Sequence, residues 1–494
     1  MTHDQPFLSA LRQKLHCAAY LSLQALRRRP VAAHMRLLDQ WDRLAPADYQ
    51  ALCRKRLHDA LAYAKLNVPA YSTGRWTSAR AKDLNTWPIL DRQFLQQHPD
   101  ALNTMTGQKL VYRRSSASTA KPVVVAWDPP AAAWAWGNEY HGLSWHHLPI
   151  ASSTLILWGR EEPIVNCILN RTSFYHTGHF TADELDRAAR RLIQQRPRLL
   201  WAMPSSAAQL ARHIGHNYPH APQPLVQFAK IGGEQVFPFQ RDEIERYLGA
   251  RIIEVYGCSE MGCVALECPR GAKHIFATAA HVEILREGQP AQPGEVGDLV
   301  ITSLVNRAMP LVRYRNGDRA SLSPHPCPCG LPHPILANLQ SRDADLLYTC
   351  DGRQIHGSQI GHALEQYVGL PGLGSVRLIR FEQTDLHTWN VLAESDDPVT
   401  PTLRQQATHL VRSLFGQKCT VHVQTLRFLP REPSGKFRYY KTIAPTQRPA
   451  ACPDDVHAAS KPPATRPVQI ATSMQATIET ASPAIFSPNH AADM

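Results

Sequence analysis

Five short segments of this chain carry residues suited to a phosphorylated ligand. The first is Ser115-Ser116-Ala117-Ser118-Thr119-Ala120-Lys121, ahead of the β-branched run Val123-Val124-Val125. Hydroxyls and backbone N–H groups on a tight loop donate to phosphate oxygens, and a lysine offsets their charge. The second is Tyr256-Gly257-Cys258-Ser259-Glu260-Met261-Gly262. Its small residues admit a planar base, on which Tyr256 can stack. Ser259 is suited to donate to phosphate and Glu260 to hold magnesium, which takes one or two carboxylates alongside phosphate oxygens. The third, Tyr314-Arg315-Asn316-Gly317-Asp318, offers a carboxylate to ribose hydroxyls from a glycine turn expected at a strand end. The fourth is the charged joint Ser341-Arg342-Asp343-Ala344-Asp345. The fifth, Pro433-Ser434-Gly435-Lys436, puts a lysine on a glycine-bearing loop that can reach charge developing at an α-phosphate. Taken singly, each has an ordinary explanation: a turn, a solvated glutamate, Asn-Gly turn chemistry, a linker, a surface lysine.

The elements that must position these residues follow from periodicity. Leu225 to Ile231 reads as strand, Gly232-Gly233 breaks it, and Pro238 opens a helix with Ile244, Tyr247 and Leu248 on one face. Gly249 ends that helix, and Arg251 to Tyr256 is the next strand. Strand, helix, strand with short joints predicts a parallel sheet covered by helices. Further strands are expected over Asp298–Leu304 and Leu311–Arg315. A smaller module follows, with strands over Ser375–Phe381, Trp389–Ala393 and Thr420–Leu429 and an amphipathic helix over Pro401–Phe415. Near the N-terminus, Leu8, Leu11, Leu15, Ala19, Leu23 and Leu26 recur at helical spacing before Arg27-Arg28-Arg29 and Pro30. The expected organisation is a helical segment over 1–40, a large domain over 41–341, a small α+β domain over 342–443, and a disordered tail over 444–494. The tail is rich in Pro, Ala, Ser and Thr without periodicity, and burial there cannot offset ordering entropy.

Composition narrows the class. The chain has 494 residues, 44 % of them hydrophobic and 19 % charged, which suits one large and one small globular domain. No stretch approaches the length of about 18 uncharged apolar residues that spans a bilayer, and the N-terminus lacks a signal-peptide core. A cytoplasmic protein is the expectation. The formal charge of +12 comes from scattered basic residues with no nucleic-acid-binding signature, so no nucleic-acid partner is expected. A weak contact of the first helix with an anionic membrane surface, and a homodimer, stay open. Eleven cysteines in such a chain argue for reduced thiols or metal ligands over a disulfide framework.

The five segments, in this order and at these separations, resemble the adenylate-forming superfamily of acyl-CoA synthetases. They look most like its phenylacetate–CoA ligase branch and, within it, the capsular-polysaccharide-biosynthesis relatives. Trp87-Pro88-Ile89-Leu90, Met203-Pro204-Ser205-Ser206, Gly232-Gly233-Glu234, Gly294-Glu295-Val296-Gly297-Asp298-Leu299 and Ala308-Met309-Pro310-Leu311-Val312-Arg313-Tyr314-Arg315 match as well, so the likeness spans about Met35 to Ile443. It implies an α/β fold with a large N-terminal domain of parallel or mixed sheets and a small α+β C-terminal lid. It implies ATP- and magnesium-dependent activation of a carboxylic acid as an acyl-adenylate, then transfer to coenzyme A or another thiol. A carrier protein or an amine is the alternative acceptor, and a catalytically weak nucleotide-binding relative is the alternative class. Carried over by position, Ser115, Ser116, Ser118, Thr119 and Lys121 contact phosphates. Glu234 and Tyr256 border the adenine, Gly233 and Gly257 also bind the cofactor, Ser259 and Glu260 serve phosphate and magnesium, Asp318 and Arg342 hold the ribose, and Lys436 is the adenylation lysine, catalytic together with Ser259 and Glu260. The chain departs from the family pattern at Ala117 and Ala120, where glycine is usual. Alanine costs about 1 kcal/mol wherever the loop needs positive φ. It departs again at Ala344, where a charged hinge residue is usual.

Cys268 with His274, and Cys327 with Cys329, supply three thiols and an imidazole from two loops, which suits tetrahedral zinc. The Cys-x-Cys spacing is tighter than a usual zinc knuckle, and unrelated cysteines are the other reading. Relatives in the branch carry similar Cys/His positions, which implies a structural zinc clamp.

Overall fold

The computed structural model describes residues 5–105, 110–115, 122–159, 164–169, 171–177, 180–340, 346–364, 376–432 and 434–442. Ser116, Ser118, Thr119, Lys121, Arg342, Ala344 and the tail lie outside them, and with them the expectations placed there.

The strand–helix–strand unit read from the sequence is present as Phe228–Gly232, Pro238–Leu248 and Arg251–Cys258. Pro238 takes the first helical turn, where a missing N–H costs nothing. Gly249 caps the far end at φ 64°, a left-handed conformation that glycine adopts freely. The two strands pair in parallel. They belong to one large sheet whose parallel part runs Thr172–His176, Thr154–Trp158, Leu199–Ala202, Phe228–Gly232, Arg251–Cys258. From Gly262–Glu267 onward the sheet turns antiparallel, through Lys273–Ile275, Ile335–Gln340, Tyr314–Leu322, Gly297–Ser303 and Ala280–Arg286.

Both faces of the parallel part are covered, which is why its strands read as nearly unbroken apolar runs. Leu200, Ala229, Ile231 and Ile252 pack with residues of the helices Ala182–Gln195, Pro204–Asn217 and Pro238–Leu248. Leu199, Phe228 and Ile253 pack on the opposite face with Trp134 and Leu143 of the helix Pro129–Ser144 and with Leu38.

One expected element is placed differently. The strand anticipated to stop at Arg315 begins at Tyr314 and continues to Leu322, so Asn316-Gly317-Asp318 lies within it. Gly317 takes φ 91°, and pairing with Gly297–Ser303 slips between Asp298 and Val300. A glycine at positive φ bends the strand without ending it, and the local irregularity turns Asp318 inward.

The small module has its expected helix and three strands, with the first strand shifted to Leu378–Gln383 and the last ending at Leu426. Its four-stranded sheet runs Thr420–Leu426, Thr388–Glu394, Leu378–Gln383, Tyr440–Lys441. The helix Pro401–Phe415 buries Leu403, Ala407, Leu410 and Val411 against it, and the Phe415 and Trp389 rings stand 4.3 Å apart. Phe237 and Phe239 of the large unit enter the same core.

The first helix, Gln5–Leu26, is only partly packed: Tyr20 and Gln24 are buried while Leu11, Leu15 and Leu26 are exposed. No described helix is long and apolar enough to cross a membrane. The second helix, Val31–Trp41, ends at Asp42, whose carboxylate accepts from His141 Nε2 at 2.8 Å, His333 Nε2 at 2.7 Å and Trp145 Nε1 at 3.0 Å. Burial alone would raise the Asp42 carboxyl, but the two histidines outweigh it and hold it well below the usual carboxylate range. Its contribution to stability is therefore present above pH ~4 and is lost as the pH falls toward the depressed value. Asp42→Ala is expected to cost about 3 kcal/mol at neutral pH, read from urea unfolding, and the gap to wild type is expected to narrow on acidification.

Candidate active site

A cavity of about 420 Å³ opens at the C-terminal ends of the parallel strands, the usual ligand position of such sheets. Ser115, Gly233, Glu234, Tyr256, Gly257, Ser259, Glu260, Asp318 and Lys436 all line it. Four of the five sequence segments therefore meet at one place; the fourth segment, with Arg342, lies outside the described residues.

The polar side chains are held by short networks. Asp318 accepts from Tyr256 Oη at 2.8 Å and from Asn316 Nδ2 at 2.8 Å, and Asn316 also donates to Tyr256 Oη at 2.9 Å. Burial, then the Asp318 charge, pushes the Tyr256 phenol well above its usual value, so it stays a donor. Glu260 is buried and accepts from Tyr314 Oη at 3.0 Å. Ser115 accepts from Val123 N at 2.9 Å and from Arg92 Nη2 at 2.9 Å. Ser259 Oγ donates to the Arg114 carbonyl at 3.1 Å, so in this state its hydrogen is not aimed into the cavity.

Arg92 is a member that sequence reasoning missed. Its guanidinium lies between two predicted site residues, bonded to Ser115 and 3.8 Å from Glu260 Oε1. Among the described residues its buried Nη1 has no hydrogen-bond partner. The available signal was its position: it follows Asp91, which caps the short helix Arg92–Gln97, directly after the Trp87-Pro88-Ile89-Leu90 segment.

Glu234, expected to border the adenine, lines the cavity and also joins the two modules. Its carboxylate accepts from Ser205 N and Oγ at 3.0 Å each, and from the Phe437 N–H of the small module at 2.7 Å. Burial raises the Glu234 carboxyl above the usual range, against the pull of Arg431 and the Phe437 and Ser205 donors. Around it, Arg431 donates to Ser205 Oγ at 2.8 Å and Gln209 Oε1 at 2.9 Å, and Gln240 donates to Tyr439 Oη at 2.8 Å. This polar seam seats the small module over the cavity and presents Lys436 to it.

The seam includes a backbone contact. A Cβ built on Gly159 would lie 2.0 Å from the Ser434 carbonyl oxygen, and one on Gly435 would lie 2.8 Å from Gly159 Cα. No side-chain rotation relieves a clash with backbone. Gly159→Ala is expected to displace the Lys436 loop and to lower the rate at the cavity about 100-fold, the scale of a 1 Å misplacement. Nucleotide binding to the large unit is expected to change far less; equal losses in a calorimetric titration would contradict this.

No family model matches the chain. It is 32% identical to phenylacetate-coenzyme A ligase of Thermus thermophilus over 163 residues, which is 32% of this chain and 37% of that protein. It is 25% identical to phenylacetate-coenzyme A ligase of Escherichia coli over 437 residues, 80% of this chain and 95% of that protein. It is 21% identical to Protein CapK of Staphylococcus aureus, over 79% of this chain and 89% of that protein. The fold matches 2-hydroxyisobutyryl-CoA ligase in its postadenylation state with a TM-score of 0.67 at 17% identity, over 83% of this chain and 93% of that one.

The chain is thus similar to phenylacetate-coenzyme A ligase of Escherichia coli over 80% of its length, and it shares the fold of 2-hydroxyisobutyryl-CoA ligase. As in the sequence-based expectation, the chain combines a large mixed-sheet unit with a small α+β one.

Apart from the cavity, the protein holds a compact thiol–imidazole cluster. Cys268, His274, Cys327 and Cys329 place one donor atom each within 4.8 Å of one another. The antiparallel pairing of Lys273–Ile275 with Ile335–Gln340 brings the two loops together.

Proposed function

We propose that the protein activates a carboxylic acid with ATP as an acyl-adenylate and passes the acyl group to the thiol of coenzyme A. The observation that carries this reading is the meeting of Ser115, Tyr256, Ser259, Glu260, Asp318 and Lys436 around one cavity, the lysine coming from the separate small module. Asp318 is suited to accept from ribose hydroxyls, since a carboxylate is an acceptor only, and Asn316 and Tyr256 fix its orientation. Arg92 and Ser115 face the phosphate end. Glu260 fits a magnesium site: one buried carboxylate at a phosphate-binding edge is the ligand set this ion takes from protein, and the ion would supply charge neutralisation at the departing pyrophosphate. Lys436 is placed to draw the acid's carboxylate toward the α-phosphate and to offset charge as the oxygen–phosphorus bond forms and pyrophosphate leaves. Admission of the thiol requires the small module to lift from the seam around Glu234.

The Cys268, His274, Cys327, Cys329 cluster fits structural zinc. Thiolates held at about 2.3 Å from a tetrahedral ion stand about 3.8 Å apart, and Cys268 Sγ lies 3.7 Å from Cys327 Sγ. His274 Nδ1 is 3.2 Å from the His333 carbonyl, which fixes the tautomer that leaves Nε2 as a ligand. Zinc there would pin two loops of the antiparallel part of the sheet.

Pyrophosphate release tests the reading. The protein is incubated with ATP, magnesium and a panel of aryl and fatty acids; release that depends on at least one acid is expected. No release with any acid, together with no ATP binding, would replace the enzyme by a non-catalytic binding module.

A further inference from the structure

The strand Phe228–Gly232 is buried along its length, and one of its five residues is Lys230. Lysine is almost never fully buried without a partner. The Lys230 ammonium pairs with Glu139 of the helix Pro129–Ser144 and stands 3.5 Å from the centroid of the Trp201 ring. Trp201 is its direct neighbour across the parallel pairing, so the two side chains share one face of the sheet. Both lie two residues, about 6.6 Å, below Gly232 at the strand end. Trp158 completes the wall, its ring 5.6 Å from that of Trp201 and in line with Gly233. All of these residues, with Trp136, line the same cavity as Lys436 and Glu260. The ion pair therefore forms the floor of that cavity, with the tilted Trp158 and Trp201 rings beside it.

A buried ion pair is a poor source of stability, and apolar residues of similar size often replace it without loss. We propose that Lys230 and Glu139 recognise the end of the substrate acid opposite its carboxylate, and that this end bears a hydroxyl group on a flat apolar body. The inference rests on the reading of the cavity as the acid site. Three indoles favour the flat body. The pair is neutral in sum and offers no net charge to a second ionised group. A hydroxyl donates to the Glu139 carboxylate while accepting from the ammonium, which has three N–H bonds to distribute. An acid ending in hydrogen or methyl would strip water from both charges and return no hydrogen bond.

Matched acids test this on the full-length protein: para-hydroxyphenylacetate against phenylacetate, and para-hydroxybenzoate against benzoate. Acid-dependent pyrophosphate release is expected to show kcat/KM about 100-fold or more higher for the hydroxylated member of at least one pair. In the double variant Lys230→Met, Glu139→Leu that ratio is expected to fall to below about tenfold or to invert. Quenching of tryptophan fluorescence by the acids without ATP gives a second readout, with tighter binding expected for the hydroxylated member. Release with the unsubstituted acids as fast as with the hydroxylated ones overturns this inference and leaves the proposed activity standing. A ratio that survives the double variant also overturns it. No release with these four acids overturns the inference; no release with the wider aryl and fatty acid panel either, together with no ATP binding, overturns the proposed activity as well.

Discussion

Lys436→Ala lowers acyl-adenylate formation about 1,000-fold and changes ATP affinity less than about threefold: that is the expected result of a single-turnover assay beside a nucleotide titration. The asymmetry follows from where the lysine originates. The cavity-lining residues Tyr256, Glu260 and Asp318 belong to the large unit and keep their hydrogen-bond partners Asn316 and Tyr314 when Lys436 is truncated. Lys436 comes from the small module, on a turn closed by the Gly435 N–H to the Glu432 carbonyl at 2.7 Å. Its contribution is thus greatest when the small module is seated and charge is developing at phosphorus. An equal collapse of ATP binding would make Lys436 a ground-state phosphate ligand and remove the role assigned to it.

The second large effect concerns the thiol–imidazole cluster. The purified protein is expected to carry about one zinc per chain, measured by elemental mass spectrometry. Cys327→Ser is expected to abolish that stoichiometry and to lower the unfolding free energy by about 3–5 kcal/mol. The loss should be well below that of a zinc finger, whose whole fold depends on its ion, because strand pairing already holds the two loops together here. A metal-free wild-type protein with the same stability as the variant would leave four cysteine and histidine side chains packed without an ion.

Much of the fold was legible because punctuation and periodicity agree over long stretches. Pro238 and Gly249 bracket their helix where proline and glycine chemistry requires, and the helix Pro401–Phe415 matches its expected bounds. The apolar runs of the parallel strands followed from burial on both faces. Asn316-Gly317-Asp318 misled, because an Asn-Gly step suits both a turn and a bent strand and only the pairing partner decides between them. Motif order located the cavity, yet the partners that tune it were not readable. Arg92 reaches Ser115 and Glu260 across 23 and 168 positions of chain, and Glu139 meets Lys230 only because a helix crosses a strand. Glu234 was read as a nucleotide neighbour from its Gly-Gly-Glu setting. Its bond to Phe437 N depends on how two separately folded units dock, which no local pattern encodes.

The Asp42 cluster bears on how this protein can be dissected. A minimal fragment drawn to begin at Pro46, where the long helix Pro46–Asn67 starts, would look reasonable by secondary structure. It would also delete the only described acceptor for the Trp145 indole and the shared acceptor of His141 and His333. Those three donors lie 99, 103 and 291 positions beyond Asp42, on a helix end and in a later loop, so the harm would surface well away from the cut. Residues 31–45 therefore belong to any truncated version intended to keep the large unit intact.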